Sequence, residues 1–430
     1  MTLRLTNARI IDGTGALPIV DGALDVTGDR IGYVGPTSRA PVTDARVVDL
    51  GGRTVLPGFI DCHVHLGMTL ADGPFHAVQQ DPALVVLESA ARIRATLDAG
   101  VTSARDLGGL SLGFREAVER GLIAGPRLQL AVKPISHTAG HGDMHLHGGR
   151  VDLTMPELIE IADTVDEVRV ATRRIMRAGA DLVKICTSGG MGSRHDHPDD
   201  EGLTLEEVRA VVDELRRRGG RPVAAHAQGR HGILTAIRGG VTSVEHGYGV
   251  DDECLDLMAE RGTFLVPTLS TVFAIDKDTM RPHHYAKKVA WSEITKRNIS
   301  RAIARGAKIA MGTDAGVGPH GVNLRELGHL VELGMSPLAA VTAGTRTAAE
   351  LLGIAETTGT LEPGKQADLV ITNADPLQEI KALGDPTRIE LVMRAGTVLK
   401  DLATPTKPNS LPNAPHVPRP ARPSRSAPPP

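Results

Sequence analysis

The chain has 430 residues, with 48 Lys and Arg against 51 Asp and Glu, for a formal net charge of −3. That balance offers no basic field to a nucleic acid, and aromatic residues at 2% leave no stacking platform for single strands. Three cysteines without CxxC spacing, Cys62, Cys186 and Cys254, exclude thiolate zinc and a disulfide framework and point to a reducing, cytoplasmic setting.

The opening MTLRLTNARIIDGTG has no charged segment followed by an apolar one, so no secretion signal is expected. No apolar run reaches the roughly 20 residues of a membrane span. Residues 1–56 carry short strands broken by turn residues, as in LRLTNARII, DGALDVTG and RIGYVG. A matching set returns at 359–400, in GTLEPGKQADLVITNADP and IELVMRAGTVLK. Neither half is long enough to bury its own core, so both ends are expected to build one composite β-sandwich.

Between 57 and 358, apolar strands alternate with amphipathic helical stretches. The first four strands are FIDCHVHL (59–66), VTSARDLG (101–108), RLQLAVKPIS (127–136) and LVKICTSGG (182–190). PVAAHAQG (222–229), TSVEHG (242–247), FLVPTLS (264–270) and KIAMGTDAG (308–316) follow. Helical periodicity fills the gaps, as in LTLEEVRAVVDELRRRGG, which closes on glycine. Eight such repeats predict an α/β fold, a (β/α)8 TIM barrel. An open doubly wound sheet would need GxGxxG after its first strand, and none is there. The tail at 401–430 is proline-rich, nearly devoid of apolar residues, and expected to be disordered.

In such a barrel, polar residues at the strand C-termini build the site. Side chains alternate along a strand, so His63 and His65 share a face and can reach one metal ion. A lone histidine there would be read as a satisfied core residue. Strand four carries Lys184 among Leu182, Val183, Ile185 and Cys186; strands five, six and eight supply His226, His246 and Asp314. A buried lysine needs a partner. A salt bridge is one account of Lys184, and a carbamate formed with carbon dioxide, able to bridge two cations, is the favoured one. His63, His65 and Asp314 would then hold one divalent metal, and His226 and His246 the other, a donor set that suits zinc. A water between two cations has its pKa lowered toward about 7, and Asp314 is placed to take its proton and return it to the leaving amine. A purely structural ligand or a helix cap is the alternative for Asp314.

LPGFIDCHVHLG, the strand-four lysine, HAQG, VEHG and GTDAG, in that order, resemble the amidohydrolase superfamily, from NARIIDGTG to GTLEPGKQADLVI. The resemblance implies the barrel, the composite β-sandwich, the carbamylated lysine and the roles just given. KICTSGGMGSRHDHPDDEGLT is similar to a loop of the prolidase-like and carboxypeptidase-like branch, which includes ochratoxin-hydrolysing enzymes, and departs from it at EGLT.

Loops after the strands set specificity. In SHTAGHGDMHLHGG, His137 or His141 could donate to a substrate carbonyl or carboxylate, while His145 and His147 read as surface residues. Tyr248 is placed to face the pocket or pack at its rim, and Arg194 to meet a terminal carboxylate or stand exposed. Residues 271–305 are a candidate lid. The expected reaction is hydrolysis of a peptide-like amide that releases a C-terminal amino acid from a dipeptide or N-acyl amino acid, ochratoxin A being one substrate the resemblance suggests. Two alternatives are a mononuclear deaminase or cyclic-imide hydrolase of imidazolonepropionase type, which has no need of a bridging anion, and a non-catalytic barrel scaffold, which should have lost ligands. The expected partners are a small amide substrate with a free carboxylate and further copies of the chain in a homo-oligomer, with no nucleic acid and no membrane.

Overall fold

The computed structural model describes residues 2–68, 79–143, 158–278 and 280–402. The N-terminal strands are β1 (Thr2–Ile10), β2 (Ile19–Thr27), β3 (Arg30–Pro36), β4 (Arg46–Asp49) and β5 (Thr54–Pro57). The central segment opens with β6 (Phe59–Val64), α1 (Pro82–Asp98), β7 (Val101–Asp106), α2 (Leu112–Glu119), β8 (Arg127–Leu130), β9 (Ile135–Ser136) and β10 (Glu160–Ile161). It continues with α3 (Val165–Arg177), β11 (Val183–Cys186), α4 (Leu205–Arg216), β12 (Val223–Ala227), α5 (Arg230–Gly239), β13 (Ser243–His246) and α6 (Asp252–Arg261). Then come β14 (Phe264–Val266), α7 (Ser270–Phe273), α8 (Pro282–Ala304), α9 (Arg325–Glu332), α10 (Pro337–Ala343) and α11 (Arg346–Leu352). The last strands are β15 (Leu369–Thr372), β16 (Ile389–Arg394) and β17 (Thr397–Asp401).

The two chain ends share one eight-stranded sheet, in the order β17-β16-β15-β5-β1-β2-β3 with β4 also on β1. The join is the antiparallel pairing of β15 with β5, from Leu369 opposite Pro57 to Thr372 opposite Thr54. Leu5, Leu24, Val55, Leu369 and Met393 pack as its apolar cluster, which neither end could assemble alone. In β1 the register shifts between Leu5 and Ala8, with Asn7 at φ 51°, so Leu5, Ala8 and Ile10 are all buried despite their uneven spacing. β17 reaches Asp401, and the proline-rich segment from 403 on lies outside the described residues, as do His145 and His147.

The central strands form two parallel sheets, β6-β7-β8 and β10-β9-β11-β12-β13-β14. Their residues are buried almost without interruption, as expected of strands covered on both faces. Backbone hydrogen bonds link the sheets at both edges. On one side Asp181 N bonds to the Leu130 carbonyl at 2.8 Å. On the other, the segment 308–315 bonds to β14 through Leu265 and to β6 through Cys62, His63 and His65.

That segment makes isolated bridges at Ile309 and Ala315 rather than the regular strand expected at 308–316. Thr313 N and Asp314 N both point at the His63 carbonyl, at 3.2 and 2.8 Å, and Asp314 has φ 57°. The doubling breaks the ladder as a bulge does, and it re-aims the Asp314 side chain.

The helices bury one stripe each. In α4, Val208, Val211 and Leu215 face the core, each burial stabilising by about 1.5–3 kcal/mol, and a Thr204–Glu207 capping box starts the helix. Among the described residues no helix is long and apolar enough to cross a membrane.

Candidate active site

β6 and the bent segment after α8 bring His63, His65 and Asp314 together. One donor atom of each lies within 4.8 Å of the others. Asp314 Oδ1 stands 3.5 Å from His63 Nε2 and 3.4 Å from His65 Nε2. The His246 ring is centred 5.0 Å from His63 and 4.6 Å from His226. All four imidazoles, Lys184 and Asp314 line one cavity of about 1080 Å³.

Each histidine is held through one ring nitrogen. His63 Nδ1 meets Glu245 Oε2 at 2.9 Å, and His65 Nδ1 the Gly108 carbonyl at 2.8 Å. His246 Nδ1 meets Thr268 Oγ1 at 2.8 Å, and His226 Nε2 donates to the Gly189 carbonyl at 3.0 Å. A carbonyl only accepts, so His65 carries its proton on Nδ1 and His226 on Nε2. Ligating histidines are held in this way by outer partners that fix tautomer and orientation.

Burial is the main cause holding all four rings neutral, with added repulsion from Lys184 and neighbouring histidines. It depresses His63, His226 and His246 well below the usual range and His65 to about 4. Burial also lowers Lys184 and raises Asp314 to about 7, the latter opposed by the charges of Lys184 and Lys288. His246, Thr268 and Asp314 all have positive φ, at 72°, 47° and 57°. Such conformations cost roughly 1–3 kcal/mol each and cluster where side chains must be aimed.

Of the four substrate-side candidates, the structure brings two to the cavity. His141 lines it, stacked on His226 at 3.9 Å, with Nδ1 bonded to Asp196 Oδ2 at 2.9 Å. A Cβ at Gly190 would stand 2.4 Å from His141, so glycine at this position permits the approach. Tyr248 also lines the cavity, buried, with its hydroxyl between Thr268 and Thr271. His137 turns to its own loop, Nδ1 on the Thr138 carbonyl, and Arg194 is exposed; neither lines the cavity. The candidate lid contains α7 and α8, and Arg281, His284 and Lys288 from α8 and its start form part of the wall.

A layer behind the donors went unread in the sequence. Arg105 reaches Glu245 Oε1 with Nη2 at 2.8 Å, Ser243 with Nη1 and the Cys62 carbonyl with Nε. Asp106 accepts from Leu66 N and Gly108 N, and Asp61 from Thr313 and Asn323. The available signal was charge inside otherwise apolar strands, in VTSARD and SVEH.

A family model described as the amidohydrolase family matches residues 54–399. The chain belongs to the amidohydrolase family. An Aspergillus niger ochratoxinase is 33% identical over 414 residues, covering 91% of this chain and 85% of its own. A prolidase solved with N-methylphosphonate-L-proline superposes with a TM-score of 0.86 at 31% identity, over 93% of this chain and 100% of that one. A Xaa-Pro dipeptidase with methionine in its active site gives 0.84 at 30%, over 93% and 99%. Within the amidohydrolase family the chain therefore falls in the prolidase-like branch, and it is a hydrolase of amide bonds.

Proposed function

We propose that this amidohydrolase cleaves the peptide-like amide of a dipeptide or N-acyl amino acid and releases the C-terminal amino acid, with ochratoxin A among its substrates. The reading rests on the convergence of His63, His65 and Asp314 with His246, His226 and Lys184 in one cavity. The ochratoxinase, the prolidase and the Xaa-Pro dipeptidase support the substrate class.

The residues fit a pair of divalent cations. Neutral imidazoles with one lone pair each and a carboxylate are the donors that zinc takes. His63, His65 and Asp314 would hold one ion, and His226 and His246 the other. Lys184, 4% exposed, has its pKa lowered by burial, which enlarges the fraction of unprotonated amine that reacts with carbon dioxide. Its carbamate would bridge the pair. Bound there, the ions would supply Lewis acidity to the scissile carbonyl and acidify the attacking water.

Asp314 takes the proton from the attacking water and delivers it to the leaving nitrogen. The bulge at Thr313–Asp314 keeps its carboxylate against His63 and His65. His141, backed by Asp196, presents its ring to the substrate side. For the fold, the edge-to-edge hydrogen bonds support a closed (β/α)8 barrel over 57–358, with 1–56 and 359–400 as the composite β-domain.

The test is amino-acid release from a panel of N-acyl amino acids, dipeptides and ochratoxin A, with cyclic imides and amino-purines as controls. Release from the first group supports the reading. Turnover confined to the controls would favour the one-metal alternative.

A further inference from the structure

Lys288, on α8, is 4% exposed yet lines the cavity. Its ammonium donates to the Thr271 carbonyl, and among the described residues it forms no ion pair with a carboxylate. The equally buried Arg105 meets Glu245, and Arg92, also in the cavity wall, meets Glu88 at 2.7 Å. A buried ammonium without an anion is unusual. Burial lowers it to about 8, opposed by the charge of Asp314, so it is mostly protonated at neutral pH and lies within the field of Asp314.

We infer that Lys288 binds the free carboxylate of the substrate's leaving amino acid and so sets the preference for an anionic C-terminus. This rests on the proposed release of a C-terminal amino acid. The neighbouring cavity cation, Arg281, donates to the Gly192 carbonyl at 3.2 Å and is only partly buried, so solvent can meet its charge as it cannot that of Lys288. Arg194 and His137, the residues the sequence offered for this task, are off the cavity. Lys288 is also wired to the donors. Thr271 accepts from it through its carbonyl, Thr271 Oγ1 meets the Tyr248 hydroxyl at 2.9 Å, and that hydroxyl meets Thr268 Oγ1 at 3.0 Å, which holds His246. An anion at Lys288 would thus be registered against the ring of His246, placing the scissile amide at a fixed distance from the carboxylate.

The experiment compares each N-acyl amino acid or dipeptide with its C-terminal carboxamide. Wild type is expected to favour the carboxylate in kcat/KM by about 10- to 100-fold, the scale of a charge-assisted hydrogen bond. Lys288→Met should collapse that preference, mainly through KM, and Lys288→Arg should restore part of it. A folded K288M that keeps the preference would overturn the inference and leave the proposed function standing. Equal cleavage of both partners by wild type would also overturn it. Where wild type cleaves neither, the proposed function fails, and where K288M does not fold, turnover of the variant is uninformative. In both cases wild-type labelling decides: L-phenylalanine, and not L-phenylalaninamide, should protect Lys288 from reductive methylation read by peptide mass, and no protection by the carboxylate would overturn the assignment.

Discussion

His63 and Glu245 meet through a 2.9 Å bond from Nδ1 to Oε2, and neither side chain is more than 1% exposed. Arg105 holds the other carboxylate oxygen, so one buried charge pair fixes the tautomer of a candidate ligand. Glu245→Gln keeps the shape and removes the charge. It should weaken metal retention by about 10- to 100-fold and, with Arg105 left unpaired, destabilise the fold by about 3–5 kcal/mol. Metal titration and urea unfolding of both proteins check this; wild-type values in both would refute it.

The pair was also the hardest part of the site to read. His63, His65, Lys184, His226, His246 and Asp314 each stand out locally, as polar residues in apolar strands of recognisable order. Arg105 and Glu245 are 140 residues apart and gain meaning only when β7 and β13 are brought together. The same limit explains Arg194 and His137. A loop side chain's direction follows from turns such as the Thr138–Asp163 contact, which strand periodicity does not encode. Conversely, the two-ended sheet was legible because neither end could bury its own apolar face. The bend at 313–314 was not, since KIAMGTDAG reads as an ordinary strand.

Asp196 offers a pH test. Burial raises its pKa, but the hydrogen bond and charge of His141 and the charge of Lys287 outweigh this, leaving it at about 2. A depressed carboxylate contributes stability that is present above its unfolded value, near 3.8, and lost as pH falls through the folded one. The shift corresponds to about 2 kcal/mol at pH 7, with about half lost by pH 3. Asp196→Asn should therefore be less stable than wild type by about that amount, with the gap closing below pH 4. Urea midpoints between pH 7 and 3 measure it, and a gap that does not change with pH would contradict the account.

Asp314→Asn retains a donor oxygen but accepts no proton. At saturating zinc its kcat should stay about 100- to 10,000-fold below wild type. Single-turnover rates with metal content measured on the same samples check this. Recovery of the rate once metal is restored would reduce Asp314 to a ligand.

Chelation should abolish activity and lower the melting temperature, because ions that bind only the folded chain stabilise it. Zinc at 100 times its Kd adds about 2.7 kcal/mol. Burial keeps His65 at about 4, so protons do not compete for its ring between pH 7 and 5, whereas Asp314, raised to about 7, takes up a proton there, and metal content should fall across that range. Dialysis across the range with elemental analysis measures the fall, and a content that stays flat from pH 7 to 5 would contradict it.

The central claim, a bridged pair of ions at Lys184, is tested most directly by elemental analysis of wild type and Lys184→Ala, purified side by side with bicarbonate. The account predicts about two equivalents in wild type and a sharp fall in the variant. About one equivalent in both would contradict the carbamate bridge and return the site to one-metal chemistry.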